Sequence, residues 1–195
     1  MGEELIFGPP GCGKTYTLID IVKEELGRGT PPDRIGFVSF SKKSIEEAKD
    51  RISAQTKLSL KDVPWFKTLH STGYNWLGLN DSNMMTRNDF NDLGKELGVI
   101  FDGYTAKSNS DGVLLQSFNK GNQYLELIGR ATMREVSLEE EYNDNGDYQL
   151  NYSFLNKVDQ VYKDYKREYD KRDFTDMISD FVNQGTAPKL DVLIV

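Results

Sequence analysis

Cysteine and histidine are nearly absent from this chain, with one of each in 195 residues. A lone Cys12 cannot close an internal disulfide, and Cys12 with His70 cannot assemble a zinc-ligand cluster. Any metal must therefore be held by oxygen. Long apolar runs are also missing: none approaches the roughly 20 residues of a membrane span, and the N-terminus lacks the charged-then-apolar layout of a secretory signal. Repeats and low-complexity tracts do not occur. A cytoplasmic globular protein is expected, with 37% hydrophobic and 28% charged residues and enough chain for one sizeable core or two small ones. The net charge of -7 argues against coating nucleic acid by bulk electrostatics. It leaves room for local basic patches, for which Lys42, Lys43 and Lys67 are one candidate set. Lys163, Lys166, Arg167, Lys171 and Arg172 are a second.

What is present is a phosphate loop. Gly8-Pro9-Pro10-Gly11-Cys12-Gly13-Lys14-Thr15 reads G-x-x-x-x-G-K-T, directly after the apolar run Leu5 to Phe7 and directly before a helical pattern, Tyr16 to Leu26. Glycines let the backbone wrap closely around a phosphate chain, and the following helix aims its first amides at the anion. Lys14 can reach the β and γ phosphates and the Thr15 hydroxyl can ligand magnesium. The expected ligand is a nucleoside triphosphate with Mg2+.

The rest of the N-terminal part keeps a strand-helix rhythm. Leu5 to Phe7 is a strand candidate, Leu18, Ile19, Val22 and Leu26 recur at helical spacing, and Gly27 to Pro32 stops that helix. Ile35 to Phe40 is a second strand. Ser44 to Ile52 follows as a helix, with Ser41 or Ser44 as N-cap. Val63 to Phe66 leads into Lys67-Thr68-Leu69-His70-Ser71 and a helix over Thr72 to Leu77. This is the pattern of an α/β fold, a P-loop parallel sheet flanked by helices. From about Gly78 the rhythm changes to short helices and polar loops, which predicts an inserted, mainly helical subdomain over 79–169 between 1–78 and 170–195. Within it, Phe154, Leu155, Val158, Val161, Tyr162, Tyr165 and Tyr169 line a helix over Tyr152 to Tyr169, and its tyrosines read as packing, not as a base-stacking ladder. Lys189 to Val195 reads as a buried parallel strand.

Four ordered segments resemble the UvrD/Rep-like superfamily 1 DNA helicases. Gly8 to Thr15 matches motif I. Val38 to Ser44, followed by Glu46, Glu47 and Arg51-Ile52, looks like motif Ia. Lys67-Thr68-Leu69-His70-Ser71 is similar to motif Ib, and Arg172 to Ile178 resembles the D-F-x-D-L-L segment ahead of the Walker B strand. The resemblance implies the first RecA-like domain, 1A, with its 1B insertion, in an ATP-dependent DNA helicase. It further implies ATP and Mg2+ as cofactors and single-stranded DNA as partner. Nucleotide contacts would fall on Gly8 to Thr15 with Tyr16 beside the base, and Lys14 and Thr15 would serve the chemistry. DNA contacts would fall on Phe40, Ser41, Lys42, Thr68 and His70, since single-strand binding joins aromatic platforms to polar and basic groups that track the backbone. Asp173 and Asp176 read as a helix cap before they read as paired catalytic carboxylates.

Three departures qualify the resemblance. Only seven residues precede Gly8, so the upstream adenine-reading glutamine segment is expected to be missing, as in a compact viral-type helicase. Tyr16 replaces an arginine common after the G-K-T. The last strand stops where the family continues into D-E-x-Q-D, which predicts that the chain alone hydrolyses nucleotide negligibly and needs a C-terminal helicase domain. A self-standing P-loop module, either a nucleotide switch or a small-molecule kinase, is the alternative, and a non-enzymatic binding domain is a third reading. For the kinase, an arginine-rich lid and an acceptor-binding carboxylate cannot be placed.

Overall fold

A computed structural model of the protein describes residues 3–9, 12–56, 58–101, 119–145 and 150–195. The elements run α1 (Lys14–Gly27), β1 (Ile35–Ser39), α2 (Lys42–Gln55), β2 (Phe66–Thr68), α3 (Leu69–Trp76), α4 (Arg87–Leu97), α5 (Lys120–Arg134), α6 (Leu138–Asn145), α7 (Tyr152–Glu168), α8 (Phe174–Asn183) and β3 (Val192–Ile194). Single 3-10 turns occur at Pro32–Arg34 and Asp81–Asn83. None of the described helices is long and apolar enough to cross a membrane.

The chain divides into two compact units. One comprises Met1–Thr72 and Ala187–Val195, the other Gly73–Thr186. The sequence boundaries, after 78 and before 170, differ from these joins. The reason is packing: α8 rests on α5, and Gly73 of α3 lies so close to Met177 of α8 that a Cβ there would stand 2.8 Å from the Met177 carbonyl oxygen.

In the first unit the described sheet is parallel, in the order β2-β1-β3. Phe37 pairs with Phe66 on one side and with Ile194 on the other. Strand alternation then sends Ile35, Phe37, Phe66 and Ile194 to one face. There they pack with Ile19 and Val22 of α1 and Ile45, Ala48 and Ile52 of α2. Gly36 faces the other way, where a Cβ would meet Leu190 at 2.6 Å. The expected strand over Leu5 to Phe7 is not formed: these residues join no ladder, and Leu5 and Phe7 are 79% and 84% exposed. Three apolar residues do not hold a strand by themselves, because a parallel strand is stabilised only by neighbours it must reach through tertiary structure. At the other end, Val192–Ile194 forms the strand foreseen over 189–195, shortened to three residues.

The second unit contains helices, one 3-10 turn and one isolated parallel bridge between Met84 and Arg172 among its described residues. Its core joins Phe90, Leu93 and Leu97 of α4, Leu127 and Ile128 of α5, and Leu155, Val158 and Tyr162 of α7. Tyr162 is therefore core, as the packing reading of α7 expects. Glu141 of α6 is fully buried yet ion-paired to Arg130 and Arg134 of α5, so its burial does not strand a charge.

Candidate functional site

The Gly8 to Thr15 loop leads into α1 through Gly13, which stands at φ +89 as the residue before the helix. A left-handed conformation there is open to glycine without the steric penalty a Cβ incurs. Helix α1 has no side-chain cap and no acidic residue in its first turn. Its leading amides and the positive end of its dipole thus face the loop unneutralised, the arrangement that favours an anion. Lys14 opens the helix and folds back over the loop, donating to the carbonyl oxygens of Gly8 at 2.6 Å and Pro9 at 2.8 Å. A Cβ at Gly8 would lie 2.3 Å from Cys12 Sγ, so a side chain there would make the Cys12 thiol turn aside. Cys12 is exposed and its sulfur is 3.7 Å from Lys14 Nζ. Thr15 is half-buried and Tyr16 is 56% exposed. Pro10 and Gly11 lie outside the described residues. This loop suits a magnesium-bound triphosphate by its glycine cradle, its uncapped helix end and its paired ammonium and hydroxyl at positions 14 and 15.

The second cluster lies at the carboxyl ends of β1 and β2, the edge of an α/β sheet where ligands bind. Phe40 follows β1 and is 80% exposed, which removes it from the core. Ser41 caps α2, its hydroxyl accepting from the Ser44 amide at 3.4 Å, and Lys42 begins that helix, exposed to solvent. Ser39 pairs with Thr68 in the strand register, so the ends of the two strands are neighbours. Thr68 itself is buried, accepts from the Ser71 amide at 3.2 Å and donates to the Ser71 hydroxyl at 3.0 Å. Its hydroxyl is thus used to start α3. His70, in the first turn of α3, is half-buried, and that burial lowers its pKa from the ordinary 6.5.

Asp173 and Asp176 form a reciprocal capping box at the head of α8, each carboxylate accepting from the other's amide at 2.8 Å. Lys166 of α7 closes it, donating to Asp173 at 3.0 Å and to Asp176 at 2.8 Å, while the Tyr162 hydroxyl donates to Asp173 at 2.7 Å. Burial works to raise the Asp173 pKa, but the Lys166 charge and these hydrogen bonds outweigh it and hold the carboxyl below the usual range. For Asp176, burial and the Asp173 charge prevail and push it up. The pair therefore serves helix geometry, although Phe174 between them remains 47% exposed.

The model of the UvrD/REP helicase N-terminal domain matches residues 1–191. The chain is also similar to an ATP-dependent helicase/nuclease subunit of Streptococcus agalactiae, in serotypes Ia, V and III, at 27% identity over 100 residues. That match covers 49% of this chain and 8% of each relative. The family model spans nearly the whole chain, from the Gly8 to Thr15 loop at the head of α1 to the last strand: the chain belongs to the UvrD/REP helicase N-terminal domain family.

Proposed function

We propose that this chain is the ATP-binding and single-strand-gripping portion of an ATP-dependent DNA helicase. Its RecA-like domain is drawn from 1–78 and 170–195, and 79–169 forms the inserted helical subdomain. The first unit's two-segment make-up supports such an interruption. The observation that carries the reading is Phe40, a large aromatic held 80% exposed at the carboxyl end of β1, in the same unit as the Gly8 to Thr15 loop.

In this reading Gly8 to Gly13 wrap the phosphates, with backbone amides at the loop and the start of α1 as donors. Lys14 exchanges its two loop carbonyls for β and γ phosphate oxygens, and the Thr15 hydroxyl holds the cation. Magnesium, when bound, neutralises charge on the β and γ phosphates during transfer. Tyr16 packs beside the base. Phe40 stacks on a nucleobase while Ser41 and Lys42 address phosphates. His70, kept neutral by burial, offers a hydrogen bond and not a charge. The Thr68 hydroxyl, engaged with Ser71, orients the turn that presents His70. Nucleotide-driven closure against a second helicase domain would turn this grip into directed movement.

The test is a titration with a fluorescent ATP analogue. Lys14→Ala is expected to abolish binding with an unchanged circular dichroism spectrum, since the Lys14 ammonium donates to exposed loop carbonyls. Full affinity in the folded variant would overturn the proposal.

A further inference from the structure

Helices α4 and α7 pack together in the second unit and leave a groove of about 440 Å3 between them. Both helices bring acid to it at one-turn spacing. Asp92 and Glu96 line it from α4, and Asp164 and Glu168 line it from α7. Each pair is four residues apart and so shares one face of its helix. Asp92 is paired with Lys95 and Asp164 with Arg167, through side chains that are at least 49% exposed, and such surface pairs offset the carboxylates little. Among the described residues Glu96 and Glu168 enter no ion pair, and both are exposed.

An aromatic surface, independent of those charges, completes the groove. Val161 and Tyr165 form its half-buried base, and Tyr169, at the end of α7, is 53% exposed beside them. Tyr165 is held in place by its hydroxyl, which donates to Asp89 at 2.9 Å, and its ring centre lies 4.6 Å from that of Tyr169. Core packing accounts for Tyr162 but not for Tyr169, whose ring is positioned while much of it faces solvent. One turn earlier on the same helix, Tyr162 already receives a cation, with Lys166 Nζ 4.3 Å from the ring centre. Among the described residues no cation stands over Tyr165 or Tyr169.

The chemistry of the lining selects the occupant. Four carboxylates repel phosphate, which argues against nucleic acid in this groove. A cation is the complementary ligand. Guanidinium fits better than ammonium, because its plane stacks on a tyrosine ring while its N–H edge donates to carboxylates beside it. Carboxylates repeat about 6 Å apart along each helix, a layout that takes several cations in a row and so favours a polypeptide over a single small ion. We propose that the groove between α4 and α7 docks an arginine-bearing segment of a partner protein, its guanidinium groups resting on Tyr165 and Tyr169 and held by the carboxylates of both walls.

The test is binding of a fluorescein-labelled peptide of alternating arginine and glycine to the full chain, followed by anisotropy at about 150 mM salt, where attraction by net charge is screened beyond about 8 Å. Nucleotide and DNA are absent from the assay, so its result bears on the groove alone. Saturable binding is expected. Glu96→Gln combined with Glu168→Gln should weaken it about threefold or more, and Tyr169→Ala about two- to fivefold. Tyr169→Phe should keep the parent affinity, because the ring and not the hydroxyl takes the cation. Glu139→Gln combined with Glu140→Gln removes the same charge from exposed positions of α6 outside the groove and should bind like the parent. A lysine-glycine peptide should bind at least about twofold more weakly, and spermidine at the peptide's concentration should not displace it. No binding, equal weakening by the α6 pair, or parent affinity in Tyr169→Ala overturns the proposal. So does a urea midpoint that falls in Tyr169→Ala, which would make the ring structural. Equal affinity for the lysine peptide would overturn the arginine assignment, and displacement by spermidine would give the groove to a small polycation instead.

Discussion

Cys12 Sγ lies 3.7 Å from Lys14 Nζ, placing the chain's one thiol against the ammonium assigned to the phosphates. Because Cys12 is exposed, a maleimide should modify it readily, and the added bulk should block nucleotide binding. Saturating magnesium-ATP should slow the modification, as read by mass spectrometry over time. Equal rates with and without nucleotide would place the ligand elsewhere.

Phe40 separates function from stability because its ring contributes little to the core. Base stacking on an aromatic is worth roughly 1 to 3 kcal/mol by alanine substitution, so Phe40→Ala should weaken single-stranded DNA binding about tenfold or more. Its thermal midpoint should stay at the parent value. Parallel losses of binding and stability would return Phe40 to a packing role.

Lys166 is the hub of the second unit's charge network, only 13% exposed and facing two carboxylates that are each 21% exposed. Removing one partner of a buried ion pair strands the other, at a cost of about 3 to 5 kcal/mol. Lys166→Met should therefore lower the urea midpoint substantially. Adding Asp173→Asn, which keeps an N-cap and removes one stranded charge, should restore part of the loss. A Lys166→Met variant as stable as the parent would show that the network is not a structural clamp.

His70 should make stability depend on pH in a defined direction. Burial lowers its folded pKa below the ordinary 6.5. Above that value both states are neutral and the residue contributes nothing. As pH falls through it, the unfolded chain takes up a proton that the folded chain resists, so stability drops until the folded imidazole also titrates. His70→Gln should flatten this part of the curve in urea titrations at a series of pH values. A slope equal to the parent's would contradict the burial effect.

Local patterns made much of the fold legible. The helical spacing of Leu18, Ile19, Val22 and Leu26, the Ser41 cap and the Asp173-x-x-Asp176 box are short-range features, and each maps onto an observed helix or helix start. Leu5 to Phe7 marks the boundary of that approach. Its apolar run resembles a strand, but pairing is a contact with residues far along the chain, and none forms here. The joins at Thr72 and Thr186 were equally hidden, because they depend on α8 packing against α5.

The sequence by itself determined the G-x-x-x-x-G-K-T pattern at Gly8 to Thr15, the order of the motif-bearing segments and the family, since each is a matter of residue type at fixed spacing along the chain. Only the tertiary structure decided which charges are spent. The two basic sets look alike as strings, yet folding brings aspartates from α4, α7 and α8 onto one, while among the described residues Lys42, Lys43 and Lys67 enter no ion pair. It also turned Phe40 outward and Thr68 inward at adjoining strand ends. Exposure and charge compensation are properties of neighbours, and neighbours distant in sequence are supplied by the fold.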